Sequence, residues 1–242
     1  AEYAYTNNDI CDFVNGSWSP ANPMSNIWSS SYKAIQICNQ YLAEFQGLTF
    51  DELKLNDDYR AQTFRYTNSF KEARFLRAYF YFNLVRAYGD VPYFTEMVTT
   101  DQVNSLTRTP AQEIFNAIIA ECDKLSTELP ADYTKLGLDG IAPAENGRVT
   151  CYAALALKAR AALYAASPLF NPENNKDLWR RAAEANKEVI ETCTANGFKL
   201  SKYSELWGPN NWSNNEMIFV RRYNGNCLLY TSPSPRDKRQ SR

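Results

Sequence analysis

The sequence of 242 residues predicts a mainly α-helical fold, and three features of the chain lead to this prediction. Apolar residues recur at three- and four-residue spacing over residues 70–87, which is typical of one face of a long helix. Several such segments end at glycine or proline, the residues that stop helices. Residues 150–166 are rich in alanine, the best helix former. We therefore expect antiparallel pairs of helices joined by long loops, with a few short strands only after residue 198.

The first helix is predicted from about Asn26 to Gln46, and Gly47 ends it. Residues 1–24 before it are polar and rich in turn formers, so no helix is expected there. The apolar stripe of this helix consists of Ile27, Tyr32, Ile35, Cys38 and Leu42. We interpret Trp28 and Tyr32 as packing residues rather than ligand contacts. A connection over residues 49–58 follows.

The second helix is the most informative segment of the chain. Its apolar face is predicted to consist of Phe70, Ala73, Leu76, Phe80, Leu84 and Ala87. Gly89 suits the left-handed residue that ends a helix, and Pro92 prevents its continuation. Glu72 and Arg77 lie five residues apart and do not share a face, so we expect each to pair with a neighbouring helix rather than to act in acid–base chemistry.

Three further helices are predicted after a polar connection over residues 93–108. The first has Thr109 as its N-cap, Pro110 as its first residue and a capping box completed by Gln112. The alanine-rich helix runs from residue 150 to about residue 166 and should be buried on most sides, because alanine allows close approach. The last helix is predicted over residues 177–194.

Composition excludes several classes of protein. The 26 basic and 27 acidic residues give a formal net charge of −1, a balance that does not attract nucleic acid or anionic lipid. No apolar run approaches the roughly 20 residues that span a bilayer. The chain contains no histidine, which removes the commonest general base and metal ligand. We predict neither enzymatic activity nor a cofactor or metal.

The six cysteines form no Cys-x-x-Cys pair, which disfavours a zinc site. Four of them, Cys38, Cys122, Cys151 and Cys193, lie among apolar helical residues. Small buried thiols are the favoured interpretation, and disulfides are the alternative.

Two motifs resemble those of a known family. Residues 72–82 read E-x-R-F-L-R-A-Y-x-Y-F and are followed by Y-G-D-V-P at residues 88–92. Residues 147–150 read G-R-x-T and precede A-A-x-A-L at residues 153–157. Both resemble signatures of the SusD/RagB family, the surface glycan-binding lipoproteins of Bacteroidetes, and the resemblance extends over roughly residues 27–220.

The resemblance implies a SusD-like scaffold of tetratricopeptide-like paired helices without catalytic activity. It implies a protein of the outer membrane that captures an oligosaccharide or other nutrient and delivers it to a TonB-dependent, SusC-like transporter. It also implies that the only membrane attachment is a lipid anchor absent from this fragment. The alternative interpretation is a helical-repeat scaffold that binds protein and no glycan.

The C-terminal residues are interpreted separately. Residues 227–237 read C-L-L-Y-T-S-P-S-P-R-D and resemble the translation of a common sequencing adapter. The alternative is a flexible, basic tail rich in serine and proline. We expect residues 1–226 to be a fragment of a single SusD-like helical domain, and residues 227–242 to be disordered.

The predicted ligand contacts are loop tryptophans with an asparagine nearby. Trp18 lies near Asn15, and Trp212 follows Asn211. A flat apolar ring can stack on the C–H face of a sugar, and an amide can both donate to and accept from hydroxyls. The alternative for each tryptophan is that it only covers the surface of the scaffold.

Overall fold

The computed structural model describes residue 19 and residues 27–138, 147–206 and 214–220. Within these ranges the chain forms six α-helices, which confirms the predicted mainly α-helical class. They are α1 (Trp28–Glu44), α2 (Tyr59–Tyr88), α3 (Thr100–Ser105), α4 (Ala111–Glu128), α5 (Cys151–Ala166) and α6 (Lys176–Ala195). Three 3₁₀ turns lie between or after them, at Asp51–Leu53, Tyr133–Lys135 and Tyr203–Glu205.

Strand structure is sparse in the described part of the chain. Val91 and Thr109 form an isolated antiparallel bridge. After residue 198, a backbone hydrogen bond of 3.4 Å runs from Lys199 N to Asn215 O, which lies in a turn, and no described residue there belongs to a strand.

The long helices pack as antiparallel neighbours. The start of α1 lies against the end of α2, where the rings of Trp28 and Tyr88 are 5.1 Å apart. Near the end of α1, Tyr41 meets Ser69 in the first half of α2, where their hydroxyls are 2.5 Å apart. The start of α4 likewise reaches the end of α5, because Gln112 Nε2 donates to the carbonyl of Ala165 at 2.7 Å. This pairing agrees with the tetratricopeptide-like arrangement expected from the sequence.

Helix α2 is buried on two sides because it packs against α1 on one and α4 on the other. Its most buried residues are Ala61, Asn68, Ala73, Phe75, Ala78, Tyr81, Phe82, Leu84 and Val85. The predicted single face is therefore partly wrong. Ala73 and Leu84 are buried as expected, but Leu76 and Phe80 are only half-buried and Ala87 is exposed.

The alanine-rich helix α5 is buried on most sides, as predicted. It packs between α4 and α6. Its fully buried residues include Ala154, Ala161 and Ala166, each with 0% of its surface exposed. Side chains of one carbon allow the neighbouring helices to approach closely, so larger residues at these positions would overpack the core.

The turn after α2 fixes the start of α4. Gly89 adopts φ of 71°, the left-handed conformation that favours glycine. Asp90 follows, and its carboxylate accepts a 2.8 Å hydrogen bond from the backbone N–H of Ala111. The predicted capping box is wrong. Pro110 is the N-cap residue and makes no side-chain cap, while Gln112 donates to carbonyls of Ala165 and Phe170 instead.

We expect Asp90→Ala to lower the free energy of unfolding by about 1 kcal/mol, the usual contribution of an N-terminal cap. The variant leaves a backbone N–H at the start of α4 without its acceptor. Asp90→Asn is the matched control, because its amide oxygen can still accept the hydrogen bond. Denaturant unfolding measures both variants, and equal losses in the two would show that the cap contributes nothing.

The four described cysteines are free thiols, as favoured by the sequence. Cys38, Cys122 and Cys193 are buried, and Cys151 is partly buried. Burial raises the pKa of the Cys122 thiol to about 12. These thiols are therefore protonated packing groups near neutral pH. Cys11 and Cys227 lie outside the described residues.

Candidate functional site

The four predicted ligand contacts, Trp18, Asn15, Trp212 and Asn211, lie outside the described residues. Trp28 has the packing role expected of it, since its ring lies 4.9 Å from that of Tyr32. Among the described residues, a different surface combines aromatic and polar side chains.

A cleft of about 630 Å³ lies over the first turns of α2, beside the connection from α1. Apolar side chains form much of its wall, namely Phe50, Leu53, Tyr59 and Tyr66. Polar side chains complete the lining, namely Asn56, Asp58, Gln62, Thr63, Arg65, Ser69 and Arg148. We call this the α2 cleft. Its volume falls within the range of roughly 300–1,000 Å³ that is usual for ligand pockets.

A row of five aromatic rings supports one wall of the α2 cleft. Phe50, Tyr66, Phe70, Tyr41 and Phe45 follow one another with centroids 5.1–5.2 Å apart. Pairs of rings at such distances stabilise one another beyond the apolar area that they bury. The α1–α2 connection is therefore packed against both helices, which holds the wall in place.

Hydrogen bonds also hold the connection to α2. The Tyr66 hydroxyl donates to the carbonyl of Phe45 at 2.5 Å and accepts from the N–H of Leu48 at 3.0 Å. One turn earlier in the helix, the side-chain amide of Gln62 donates to the carboxylate of Asp58 at 2.9 Å. Three residues of the lining, Tyr66, Gln62 and Asp58, are thus held in place before a ligand binds, which lowers the entropic cost of binding.

An ion pair beside the cleft joins the two sequence motifs. Arg148 Nε and Nη2 each donate to a different oxygen of Glu72 at 2.8 Å. Asn68 Nδ2 donates to the same carboxylate at 2.7 Å, and the Tyr133 hydroxyl lies 3.1 Å from it. Burial, and then the Glu72 charge, raise the pKa of Tyr133. Glu72 therefore has the structural pairing role that the sequence predicts.

Arg77 also makes structural contacts with a neighbouring helix, as predicted, although these partners are uncharged. Its guanidinium donates to the Asn39 side chain at 2.9 Å and to the carbonyl of Thr95 at 2.8 Å, rather than to a carboxylate. It thereby ties α2 to α1 and to the segment after Pro92. Glu72 and Arg77 are thus both occupied by structural contacts.

The described residues contain groups suited to binding a sugar. No group of three His, Cys, Asp or Glu side chains in these ranges could hold a metal ion. No described helix is both long and apolar enough to span a bilayer. The α2 cleft combines aromatic rings with planar amide and carboxylate groups, and these are the groups that contact the apolar face and the hydroxyls of a sugar.

Comparison with known proteins identifies the family. A family model described as "SusD-like_3: Starch-binding associating with outer membrane" matches residues 3–163, about two thirds of the chain. The chain belongs to the SusD-like family. It is 23% identical over 197 residues to SusD-like protein P25 of Formosa agariphila, covering 81% of this chain and 31% of that protein. SusD-like protein P2 of the same organism is 30% identical over 108 residues, 44% of this chain and 19% of that protein.

Solved structures of SusD-like proteins share the fold. A SusD-like carbohydrate-binding protein of Bacteroides fragilis is 28% identical, with a TM-score of 0.61 over 82% of this chain and 33% of that one. A laminarin-binding SusD-like protein is 25% identical, with a TM-score of 0.62 over 86% and 40% of the two chains. This SusD-like chain spans less than a third of the length of its two curated relatives.

Sequence reasoning missed the residues of the α2 cleft. The sequence predicts residues 49–58 only as a connection between two helices. The sequence nevertheless contains a feature that indicates the cleft. The five aromatic residues that line or support the cleft wall in one row lie within residues 41–70, on both sides of a turn at Gly47. Pairing of α1 with α2 therefore brings them together.

Proposed function

We propose that this SusD-like protein captures a glycan at the cell surface and delivers it to a TonB-dependent, SusC-like transporter. The observation that carries the proposal is the α2 cleft, where aromatic rings lie beside amide and carboxylate groups in a chain of a starch-binding family. The structural relatives are in accord with it, since one is carbohydrate-binding and another binds laminarin. In this proposal the protein is not an enzyme.

The proposal places the protein at the outer face of the outer membrane. The family is described as associating with the outer membrane. We propose attachment through a lipid anchor rather than a membrane-spanning segment, and a glycan or other nutrient as ligand rather than nucleic acid. Co-purification of the tagged protein with the transporter from membranes of the source bacterium tests the delivery step. Recovery of the protein without a TonB-dependent transporter would contradict it.

The loop tryptophans remain candidates for further ligand contacts. We expect Trp18→Ala or Trp212→Ala to weaken binding of the cognate glycan by roughly ten- to a hundredfold. Burying the apolar surface of a large side chain contributes about 1.5–3 kcal/mol, and each 1.4 kcal/mol changes the affinity tenfold. Asn15 and Asn211 would supply the adjacent amides. Isothermal titration against laminarin and soluble starch measures the affinity.

Trp179→Ala is the matched control for these two variants. Trp179 lies on α6, is 39% exposed, and donates its indole N–H to Asn174 at 3.1 Å. Its removal should leave glycan affinity unchanged. If Trp18→Ala and Trp212→Ala both bind as tightly as the parent protein, these loops do not belong to the site.

A second candidate function is favoured by one observation. The α1–α2 connection exposes several apolar side chains, including Leu48 at 47%, Leu53 at 45% and Leu55 at 96%. Exposed apolar clusters are typical of protein contacts. A helical-repeat scaffold that binds only protein is therefore the alternative, and absence of binding to any glycan would favour it.

A further inference from the structure

We propose that the α2 cleft is a glycan subsite that selects neutral sugars, with Phe50 and Tyr59 as the stacking residues and Asn56 and Gln62 as the groups that bind hydroxyls. This inference rests on the proposed function, because it assigns the class of glycan to the cleft that carries it. The residues of this subsite are different from the predicted contacts at Trp18 and Trp212, which lie elsewhere in the sequence.

The charges around the cleft disfavour an anionic glycan. Both oxygens of Glu72 bind Arg148 through two hydrogen bonds of 2.8 Å, so the charge of this arginine is already balanced. Arg65, the other cation of the lining, also has a partner. A uronate or sulfate would have to compete with Glu72 for Arg148, at the cost of breaking a bidentate ion pair.

The connection beside the cleft adds negative charge. Over residues 50–58 it carries Asp51, Glu52, Asp57 and Asp58 against a single lysine, Lys54. Lys54 is itself paired with Asp51 at 2.8 Å. Carboxylates at this density repel a polyanion, whereas they accept hydrogen bonds from the hydroxyls of a neutral sugar.

A neutral pyranose has an apolar C–H face and a rim of hydroxyls, and the remaining lining offers a group for each. Phe50 is 36% exposed and its ring meets that of Tyr66 at 83°, so part of the ring is free for contact while the neighbouring ring supports it. Asn56 and Gln62 lie in the same lining. An amide both donates and accepts, as does a hydroxyl, so each can bind a sugar hydroxyl in either direction.

The test compares stacking variants against neutral and anionic polysaccharides. Phe50→Ala and Tyr59→Ala remove rings of the cleft, and Tyr79→Ala is the control because it lies on the same helix and is 37% exposed. Laminarin and soluble starch are the neutral probes, and alginate is the anionic one. Isothermal titration at low and high salt gives the affinities, and thermal unfolding verifies that each variant is folded.

We expect the parent protein to bind at least one neutral probe with an affinity that salt does not change, and to leave alginate unbound. Phe50→Ala and Tyr59→Ala should each weaken this binding by roughly tenfold or more, and Tyr79→Ala should not. Asn56→Ala and Gln62→Ala should each weaken it by roughly fivefold, the effect of one hydrogen bond.

Three outcomes would overturn the inference, and they differ in what they say of the proposed function. Neutral binding that survives both stacking variants would remove the cleft from the site but leave glycan capture intact. Preference for alginate, or binding that weakens with salt, would contradict selection of neutral sugars alone. No binding to any of the three polysaccharides would overturn the inference and favour a protein occupant for the cleft; together with recovery of the protein without a TonB-dependent transporter, it would overturn the proposed function as well.

Discussion

Phe82→Ala is expected to lower the free energy of unfolding by about 3–5 kcal/mol, the largest effect among the substitutions considered. Phe82 is 1% exposed and lies where α2 meets α4 and α5. Its ring centroid is 6.5 Å from that of Phe115 and 5.2 Å from that of Tyr164. Truncation removes the apolar surface of the ring and leaves a cavity that three helices cannot easily close.

Two charged groups add to the effect. The guanidinium carbons of Arg86 and Arg160 lie 5.9 Å and 5.8 Å from the Phe82 centroid, within the range of cation–π attraction. Both lose this contact in the variant. Urea unfolding followed by circular dichroism measures the change, with Phe82→Leu as a companion that keeps most of the apolar volume and should cost less.

Leu76→Ala is the matched control on the same helix. The sequence pattern places Leu76 on the buried face, but the structure leaves it half-buried. We therefore expect Leu76→Ala to cost about 1–2 kcal/mol, clearly less than Phe82→Ala. An equal or larger loss for Leu76→Ala would contradict its half-buried position.

The disagreement over α2 has a physical cause. A three- and four-residue pattern identifies one stripe, and this works for a helix with one buried side. Helix α2 has neighbours on two sides, so Phe75 and Phe82 are as buried as Leu84 although they lie off the predicted stripe. Local residues predict that a helix forms here and that it stops at Gly89. They do not predict how many helices pack against it.

The start of α4 illustrates the same limit. Thr109, Pro110 and Gln112 carry every local sign of a capping box, yet the cap comes from Asp90, 21 residues earlier in the chain. Thr109 instead pairs with Val91, which is fully buried. Local propensity predicts that a helix starts here, whereas the partner of its first N–H depends on how the preceding turn packs.

The candidate site was the least predictable part of the chain. The family signatures lie in the scaffold and were legible in the sequence, because they encode the Glu72–Arg148 pair and the Asp90 turn. The α2 cleft depends on a connection without periodicity and on the pairing of α1 with α2. The predicted tryptophan contacts lie outside the described residues, so they stay predictions.

Glu72→Ala is the second large effect, expected to lower the free energy of unfolding by about 2–4 kcal/mol. The carboxylate binds Arg148 through both oxygens and accepts a hydrogen bond of 2.7 Å from Asn68. Removing it leaves a partly buried guanidinium without its counter-charge and takes an acceptor from Asn68, which is 1% exposed. The Arg148 side chain is 32% exposed, so water offsets part of the cost.

A double-mutant cycle separates the ion pair from the other contacts of Glu72. Glu72→Ala, Arg148→Ala and the double variant should give a coupling energy of about 1–3 kcal/mol, since the two groups form a bidentate pair. Glu188→Ala is the control, because Glu188 is 46% exposed and its partner Lys158 also binds Asp123. That variant should cost under about 1 kcal/mol. Additive losses for Glu72 and Arg148 would mean that the two motifs contribute independently, and that Asn68 and Tyr133 account for the effect of Glu72.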